Sequence, residues 1–430
     1  MSLTAPTKQT EMIVSEIAEN IIGSEILKLA AEINEKLKKG EKVFNFTVGD
    51  FNANLFPIPE ALKKEIIRAY ENNETNYPPA DGVAELRETV SGFMKDSLGL
   101  DYPASQVLIA GGARPIIYGI FRTLVDRGEK VLFPIPSWNN NHYSYLLEAD
   151  AIAIETKAEN RFMPSARDIA PHIEDISLLA LCSPLNPSGT VFSKKDLEEI
   201  CDLVLDENRR RKDTGRKPVY VMYDQIYWAL TLKDTVHYNP VQLRPEMKDY
   251  TVFVDGISKS LAATGVRVGW TMGPKKVIDK MKSIIGHVGA WAPRPEQVAT
   301  AKYLKDTAAY KAFIDEIRGK ITRRLDAFHK GFQDLRTEGF AVNSIPPQAA
   351  IYLTVQFSLV GKKTPEGKTL SSVREVTAYI LNEAKVALVP FYAFGTSDES
   401  DWYRLSIGTS REEEIPEVLQ NIKNALKKLS

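Results

Sequence analysis

A lysine set just beyond an apolar run is the residue of this chain best suited to covalent chemistry. Lys259 follows the run from Tyr250 to Val254 across a Gly/Ser-rich turn, and Arg267 comes eight residues later. Burial disfavours the ammonium form of a lysine, so that a neutral amine becomes available as a nucleophile for Schiff-base chemistry. Arg267 supplies a fixed positive charge that suits a phosphate. The alternative for this segment alone is an ordinary solvated lysine.

Two further segments offer ligand-binding groups beside predicted strands. Gly111, Gly112, Ala113 and Arg114 connect a strand to a helix. Glycines there let the backbone approach an anion at a helix N-terminus, although a turn kept for steric reasons is the alternative. Trp138, just beyond another strand, either stacks on a planar heteroaromatic ring or fills the core.

A rigid loop and an acidic strand end complete the candidate set. Asn186 stands among prolines and a glycine between residues 183 and 190, where it donates to a ligand oxygen or belongs to a plain turn. Asp224 and Tyr227 follow the apolar strand Pro218 to Met222. A half-buried carboxylate there requires a cationic partner, unless it only caps a helix.

The elements that position these residues are short apolar strands that alternate with helices. This alternation predicts a mostly parallel sheet covered by helices on both faces. Ligands bind at the strand ends of such a sheet, which is where the candidate residues fall. The predicted strands are Gln106–Ala110, Lys130–Phe133, Ala151–Glu155, Ser177–Cys182, Pro218–Met222, Tyr250–Val254 and Val266–Met272.

The remainder of the chain predicts a smaller α+β unit. We expect a large α/β domain over residues 50–300, and a small domain made of residues 1–49 together with 301–430. The elements predicted for the small domain are an N-terminal helix Ser24–Lys39, a long helix Pro295–Glu338, strands Ala350–Phe357 and Ala387–Pro390, and a closing helix Glu412–Leu429.

Composition excludes several functional classes. The 430 residues carry a net charge of −1, so no global field attracts nucleic acid or an anionic membrane. No apolar stretch approaches membrane-spanning length, and Met1 to Thr10 lacks the apolar core of a signal peptide. Cys182 and Cys201 are expected to be reduced thiols, which favours a cytoplasmic protein. We expect no bound metal, no nucleic-acid partner and no membrane partner.

Taken in order, these motifs resemble the fold type I pyridoxal-phosphate enzymes, specifically the class I/II aminotransferases of the aspartate aminotransferase type. The resemblance extends from about Gly23 to Leu429, and implies a seven-stranded, mostly parallel sheet. Pyridoxal 5′-phosphate is the implied cofactor. The matching motifs are Gly111-Gly-Ala-Arg, Pro136-Ser-Trp, Asn186-Pro-Ser-Gly, Asp224-x-x-Tyr, Ser258-Lys with Arg267, and Tyr403-Arg-Leu-Ser.

The resemblance assigns a role to each candidate residue. Lys259 forms the Schiff base with the cofactor, and Asp224 pairs with the pyridinium nitrogen. Asn186 and Tyr227 hydrogen-bond the phenolic oxygen. Trp138 stacks on the ring. The residues implied at the phosphate end are Gly112, Ala113, Ser258 and Arg267, with Arg114 also counted among the cofactor-binding residues.

The resemblance also implies substrate contacts and a homodimer with shared active sites. Arg404 grips the substrate α-carboxylate through a bidentate pair, and Asn186 contributes to the same site. Gly49 lies with its backbone near the substrate. Tyr77 reaches the phosphate of the neighbouring subunit. The small-molecule partners are an L-amino acid and a 2-oxo acid.

Some positions depart from the family pattern. A serine found in one branch of the family is Gly256 here, and a histidine found after the stacking tryptophan is Asn141, with His142 one place on. The arginine that binds a second carboxylate in one subgroup has no clear match, because Arg294 is several residues away. Preference for dicarboxylic substrates therefore stays open, and the residues that offer an apolar pocket instead are Val48, Phe51 and Tyr352.

Three functions are compatible with this sequence. The leading one is transamination with ping-pong kinetics through a lysine-bound cofactor. A β-eliminating C–S lyase uses the same binding motifs, and a non-catalytic sensor of the same fold is the third. Two X-Pro bonds, Asn186-Pro187 and Ile135-Pro136, are expected to be cis.

Overall fold

A seven-stranded sheet is the central element of the computed structural model, which describes residues 14–21, 29, 31, 33, 35, 36 and 38–430. Smaller sheets of four and two strands accompany it. The strands are β1 Phe44–Asn45, β2 Val107–Ala110, β3 Lys130–Ile135, β4 Asp150–Glu155, β5 Ile176–Cys182, β6 Tyr220–Asp224, β7 Thr251–Gly256, β8 Gly269–Met272, β9 Val342–Ser344, β10 Tyr352–Phe357, β11 Val386–Ala387, β12 Val389–Pro390 and β13 Trp402–Ser406.

The large sheet has the strand order β2-β8-β7-β6-β5-β3-β4. Strand β8 runs antiparallel to both of its neighbours, and every other pairing in the sheet is parallel. The strands are nearly continuous apolar runs because both faces are covered. Along β5, Leu178 belongs to one hydrophobic cluster and Leu179 to the other. The predicted α/β class with a mostly parallel sheet is therefore confirmed.

Helices cover both faces of this sheet. The helix Ala113–Leu124 packs on one face through Ile116 and Ile120, as its apolar periodicity predicts. The α-helices are Glu16–Asn20, Glu60–Glu71, Ala84–Leu98, Ala113–Leu124, Asn140–Leu146, Ala166–Ile169, Lys194–Asp213, Pro240–Leu243, Ile257–Ser260, Lys275–Val288, Arg294–Lys305, Thr307–Thr337, Val373–Tyr379 and Ile415–Lys427.

The smaller sheets lie later in the chain. Strands β12, β13, β10 and β9 form an antiparallel sheet in that order, and β1 pairs in parallel with β11. The large sheet thus draws its strands from residues 107–272, and the four-stranded sheet draws its own from residues 342–406. The domain boundaries themselves, 50–300 and 1–49 with 301–430, stay a prediction.

Two predictions about element boundaries are wrong. The long helix expected from Pro295 to Glu338 is two helices that meet at Asp306, whose backbone leaves the helical region and whose side chain caps the second helix by accepting from the Ala309 amide. The strand expected to begin at Val266 begins instead at Gly269, because Arg267 adopts a positive φ of 65° and turns the chain.

Other differences affect the C-terminal part of the chain. The strand expected at Ala387–Pro390 divides into β11 and β12, which pair with different sheets. The closing helix begins at Ile415, after a 3₁₀ turn over Glu412–Glu414. The predicted helix Ser24–Lys39 lies largely outside the described residues. No helix in the described part of the chain is long and apolar enough to span a bilayer.

Candidate active site

A cavity of about 440 Å³ opens at the carboxyl ends of β5, β6 and β7. The crevice of an open parallel sheet lies at this edge. Strands β10 and β13 contribute Tyr352 and Arg404 to the opposite wall. The predicted site residues that line this one cavity are Gly49, Ala113, Arg114, Trp138, Asn186, Asp224, Tyr227, Ser258, Lys259, Arg267 and Arg404.

The amine of Lys259 lies inside this cavity. Lys259 stands in the short helix Ile257–Ser260 that directly follows β7, and its Nζ donates to the Gly49 carbonyl at 2.7 Å. Burial lowers the pKa of Lys259 from 10.5 to about 8, and three neighbouring arginines act in the same direction. A neutral amine is therefore accessible close to neutral pH, and this is the form that attacks a carbonyl.

Asp224 ends β6 with its carboxylate facing the cavity. Its Oδ1 accepts from the Ile226 amide at 3.1 Å, and the next helical turn begins only at Trp228, so Asp224 is not an N-cap. Burial raises the pKa of Asp224 to about 6, while the Ile226 hydrogen bond and Lys259 lower it. No arginine or lysine of the described residues lies within ion-pair distance of Asp224. The carboxylate thus lacks the cationic partner that its burial requires.

An anion cradle forms where β2 leads into the helix Ala113–Leu124. Gly112 precedes this helix with a φ of 92°, and a side chain there would overlap the guanidinium of Arg267. Arg267 donates to the carbonyls of Thr264 and Gly111 at 2.7 and 2.6 Å. Helix N–H groups and a positioned guanidinium are the groups that bind a phosphate.

Arg404 is a buried guanidinium in the wall of the cavity. It is 2% exposed, and it donates from Nη1 to Asn186 Oδ1 at 3.0 Å and from Nη2 to the Thr47 carbonyl at 2.6 Å. The rings of Tyr352 and Phe394 lie 4.8 and 4.9 Å from its Cζ. Its Nε has no hydrogen-bond partner, and no carboxylate of the described residues pairs with it. A buried charge of this kind requires an anion.

Because Gly49 has no side chain, the space beside Arg404 stays open. A Cβ on Gly49 would lie 2.9 Å from the Tyr352 hydroxyl and 3.3 Å from Arg404 Nη1. The Gly49 carbonyl is also the acceptor of Lys259. The backbone at Gly49 therefore contacts both the amine and the anion-binding wall.

The loop that carries Asn186 is held in one orientation. Because Asn186 Oδ1 accepts from Arg404, its Nδ2 is left to donate into the cavity. Both expected cis bonds, Asn186-Pro187 and Ile135-Pro136, are cis, which confirms the prediction. A third cis bond, Ser183-Pro184, is a feature that the sequence did not predict.

Trp138 faces the cavity rather than filling the core. The Arg114 guanidinium carbon lies 5.6 Å from the centre of the Trp138 ring, and Phe394 packs at 6.2 Å. Both Trp138 and Arg114 line the cavity. A flat aromatic face is thus available to a planar ring.

Several lining residues were missed or misplaced. Tyr143 lines the cavity three positions after Asn140 on the same helix face, whereas neither Asn141 nor His142 lines it. That i, i+3 spacing was the available signal. Phe51, expected in a substrate pocket, packs instead on Phe56 at 5.2 Å and does not line the cavity.

Tyr77 lies apart from this cavity on the same chain. It is 83% exposed, and its ring contacts Trp291 at 5.4 Å in a separate surface groove. Arg294 lines the same groove, where its Nε binds Glu74 Oε2 at 2.7 Å. The charge of Arg294 is therefore already matched by a carboxylate.

The family model for aminotransferase class I and II matches residues 41–422. The chain therefore belongs to the class I and II aminotransferases. It is similar to an aspartate aminotransferase of Rhizobium meliloti (strain 1021), with 28% identity and 100% of both chains covered. An aspartate aminotransferase of Pyrococcus horikoshii is 27% identical, with 95% of this chain and 97% of that one covered.

The fold agrees with this assignment. The crystal structure of the aspartate aminotransferase from Rhizobium meliloti superposes with a TM-score of 0.87, at 27% identity over 97% of this chain and 99% of that one. The chain is an enzyme that transfers the amino group of an L-amino acid to a 2-oxo acid with pyridoxal phosphate as cofactor. These relatives are aminotransferases, so the lyase and sensor alternatives are not favoured.

The residues of the cavity fit pyridoxal phosphate. The cradle at Gly112 and Arg267 suits its phosphate, and Trp138 suits its ring. The unpaired carboxylate of Asp224 suits a protonated ring nitrogen. Lys259 offers an amine of lowered pKa to the aldehyde.

Proposed function

We propose that Lys259 holds the cofactor and moves the proton in this transamination. Pyridoxal phosphate supplies the electron sink for the charge that remains at Cα when a proton leaves it. Lys259 Nζ, with a pKa of about 8, accepts that proton and returns one to Cα in the second half of the ping-pong cycle. The hydrogen bond to the Gly49 carbonyl holds the amine at the substrate side of the cavity.

We assign Asp224 to the pyridinium nitrogen. In the cavity its pKa is raised to about 6 because burial outweighs the stabilising groups around it. A cation at the ring nitrogen removes that imbalance and keeps the carboxylate ionised. Asn186 Nδ2 and the Tyr227 hydroxyl donate to the phenolic oxygen, since Asn186 Oδ1 is already engaged by Arg404.

Arg404 is proposed to bind the α-carboxylate of the substrate, and its unmatched charge is the observation that carries this assignment. This guanidinium is 2% exposed, its Nε is unpartnered, and no carboxylate of the described residues pairs with it, so an anion in the cavity would offset the cost of its burial. Every amino acid and every 2-oxo acid carries that carboxylate. The arrangement therefore accepts both halves of the reaction.

We further propose a homodimer in which Tyr77 reaches the phosphate site of a second copy. A tyrosine that is 83% exposed, with its ring against the partly buried Trp291, is expected to be covered in an assembly. Analytical ultracentrifugation tests this proposal. A monomer at assay concentration would contradict it.

A reducing, cytoplasmic compartment is proposed for the protein. Cys182 and Cys201 are both free thiols, and free thiols persist where the redox poise is reducing. Fractionation of the native host tests this localisation.

A panel of amino donors tests the proposed reaction. Purified protein with pyridoxal phosphate and 2-oxoglutarate should form glutamate from at least one donor, and the panel includes aspartate because relatives carry that name. It also includes aromatic donors, because Val48 and Tyr352 line the cavity. Release of pyruvate from cysteine without glutamate formation would instead support the lyase.

A further inference from the structure

A second buried tyrosine contacts the tyrosine assigned to the cofactor. The hydroxyls of Tyr352 on β10 and Tyr227 lie 2.5 Å apart, and either one can be the donor. Tyr352 is 1% exposed and Tyr227 is 2% exposed, and the two rings meet edge to face at 5.6 Å. Both residues line the cavity. The pair is therefore part of the site and is shielded from bulk water.

The face of the Tyr352 ring has a separate use. The Arg404 guanidinium carbon lies 4.8 Å from the ring centre, within the range of a cation–π contact. The Tyr352 hydroxyl lies where a side chain at position 49 would collide with it. Tyr352 thus lies against Gly49, Arg404 and Tyr227.

The number of protons decides the direction of the hydrogen bond between the two phenols. Each hydroxyl has one proton to donate. In the proposed function the Tyr227 hydroxyl donates its one hydrogen bond to the phenolic oxygen of the cofactor. The hydrogen between the Tyr227 and Tyr352 oxygens must then be that of Tyr352. A hydroxyl that accepts one hydrogen bond becomes a stronger donor in the next.

We propose that Tyr352 is a positioning residue of this site, whose hydroxyl donates to Tyr227 and strengthens the bond that Tyr227 gives to the phenolic oxygen, while its ring supports Arg404. This inference rests on the proposed function. It gives Tyr352 two separable contributions, one from the hydroxyl and one from the ring.

The titratable groups around the pair set the conditions of a test. Burial raises the pKa of both phenols, so both carry their protons near neutral pH. The charged or titratable groups that face the pair from the surrounding elements are Arg404 on β13, Cys182 at the end of β5, Asp50 in the segment after β1, and Lys259 after β7.

The test is a pH titration of the visible absorbance of the holoenzyme. A hydrogen bond to the anionic phenolic oxygen stabilises the deprotonated form of the bound cofactor. A weaker donor therefore raises the midpoint, the pH at which the absorbance change is half complete. Tyr352→Phe keeps the ring and removes the hydroxyl. We expect its midpoint to rise by about 0.2–0.6 pH unit, with KM for the amino donor little changed. Tyr352→Leu also removes the ring, and should raise KM as well.

Tyr379→Phe is the matched control, because it also removes the hydroxyl of a buried tyrosine. That hydroxyl donates to the Ala425 carbonyl at 2.8 Å, and Tyr379 does not line the cavity. Its midpoint should equal that of the wild type. A Tyr352→Phe midpoint equal to the wild type, or an equal rise in the control, overturns the inference. If the wild type itself binds no cofactor with a pH-dependent spectrum, the proposed function fails as well, and that outcome is distinct.

Discussion

Replacing Lys259 by methionine is expected to stabilise the protein when no cofactor is bound. Burial lowers the pKa of Lys259 from 10.5 to about 8, which corresponds to about 3 kcal/mol of unfolding free energy lost at pH 7. Methionine removes this cost but also the hydrogen bond to the Gly49 carbonyl, worth about 1–2 kcal/mol. The apoprotein of the variant should therefore be more stable by about 1–2 kcal/mol.

The pH dependence of this difference has a defined sign. Between pH 8 and 10.5 the unfolded chain binds more protons at Lys259 than the folded chain, so wild-type stability rises through this window. The advantage of the variant is full below the lower limit. Above the upper limit the wild type no longer carries the cost of a buried charge, so the variant should be less stable by about 1–2 kcal/mol because of the lost hydrogen bond. Urea unfolding of both apoproteins across this range measures it.

Lys311→Met serves as the control, because Lys311 is exposed and its replacement should change stability little. A Lys259→Met apoprotein no more stable than wild type at neutral pH would refute the reasoning. An advantage that grows with pH would refute it equally.

Three further substitutions test the remaining groups of the site. Arg404→Lys keeps the charge but loses the paired N–H geometry, so kcat/KM for amino donors should fall about 100-fold in steady-state assays; an unchanged value contradicts the assignment. Gly112→Ala should overlap Arg267 and raise the Kd for pyridoxal phosphate about tenfold or more in equilibrium binding, whereas unaltered binding would remove the cradle from the account. Asp224→Asn should retain cofactor yet lose about 1000-fold in kcat, and near-normal turnover would exclude its proposed role.

Local patterns in the sequence were sufficient for the large sheet. Buried parallel strands are continuous apolar runs. Trp138, Asn186 and Lys259 each follow such a strand and Asp224 ends one, so the cavity at the strand ends could be predicted. Lys259 after β7 and Asp224 at the end of β6 came together as expected.

Contacts between distant segments could not be predicted in this way. Tyr352 on β10 and Tyr227 after β6 belong to different sheets' surroundings and are separated by 125 positions in the chain, so no local pattern indicates that they meet. The break at Asp306 was missed because the helical periodicity continues through it, although an aspartate at that point is a good N-cap. The short strands β11 and β12 have similar apolar sequences but pair with strands of different sheets, so the division between them could not be predicted from composition.

The attachment site of the cofactor tests the central claim most directly. Holoenzyme treated with borohydride, digested and mapped by mass spectrometry should carry the cofactor on the peptide that contains Lys259, and on no peptide from the Lys259→Met variant. Cofactor found on a different lysine, or still attached in that variant, would contradict the account.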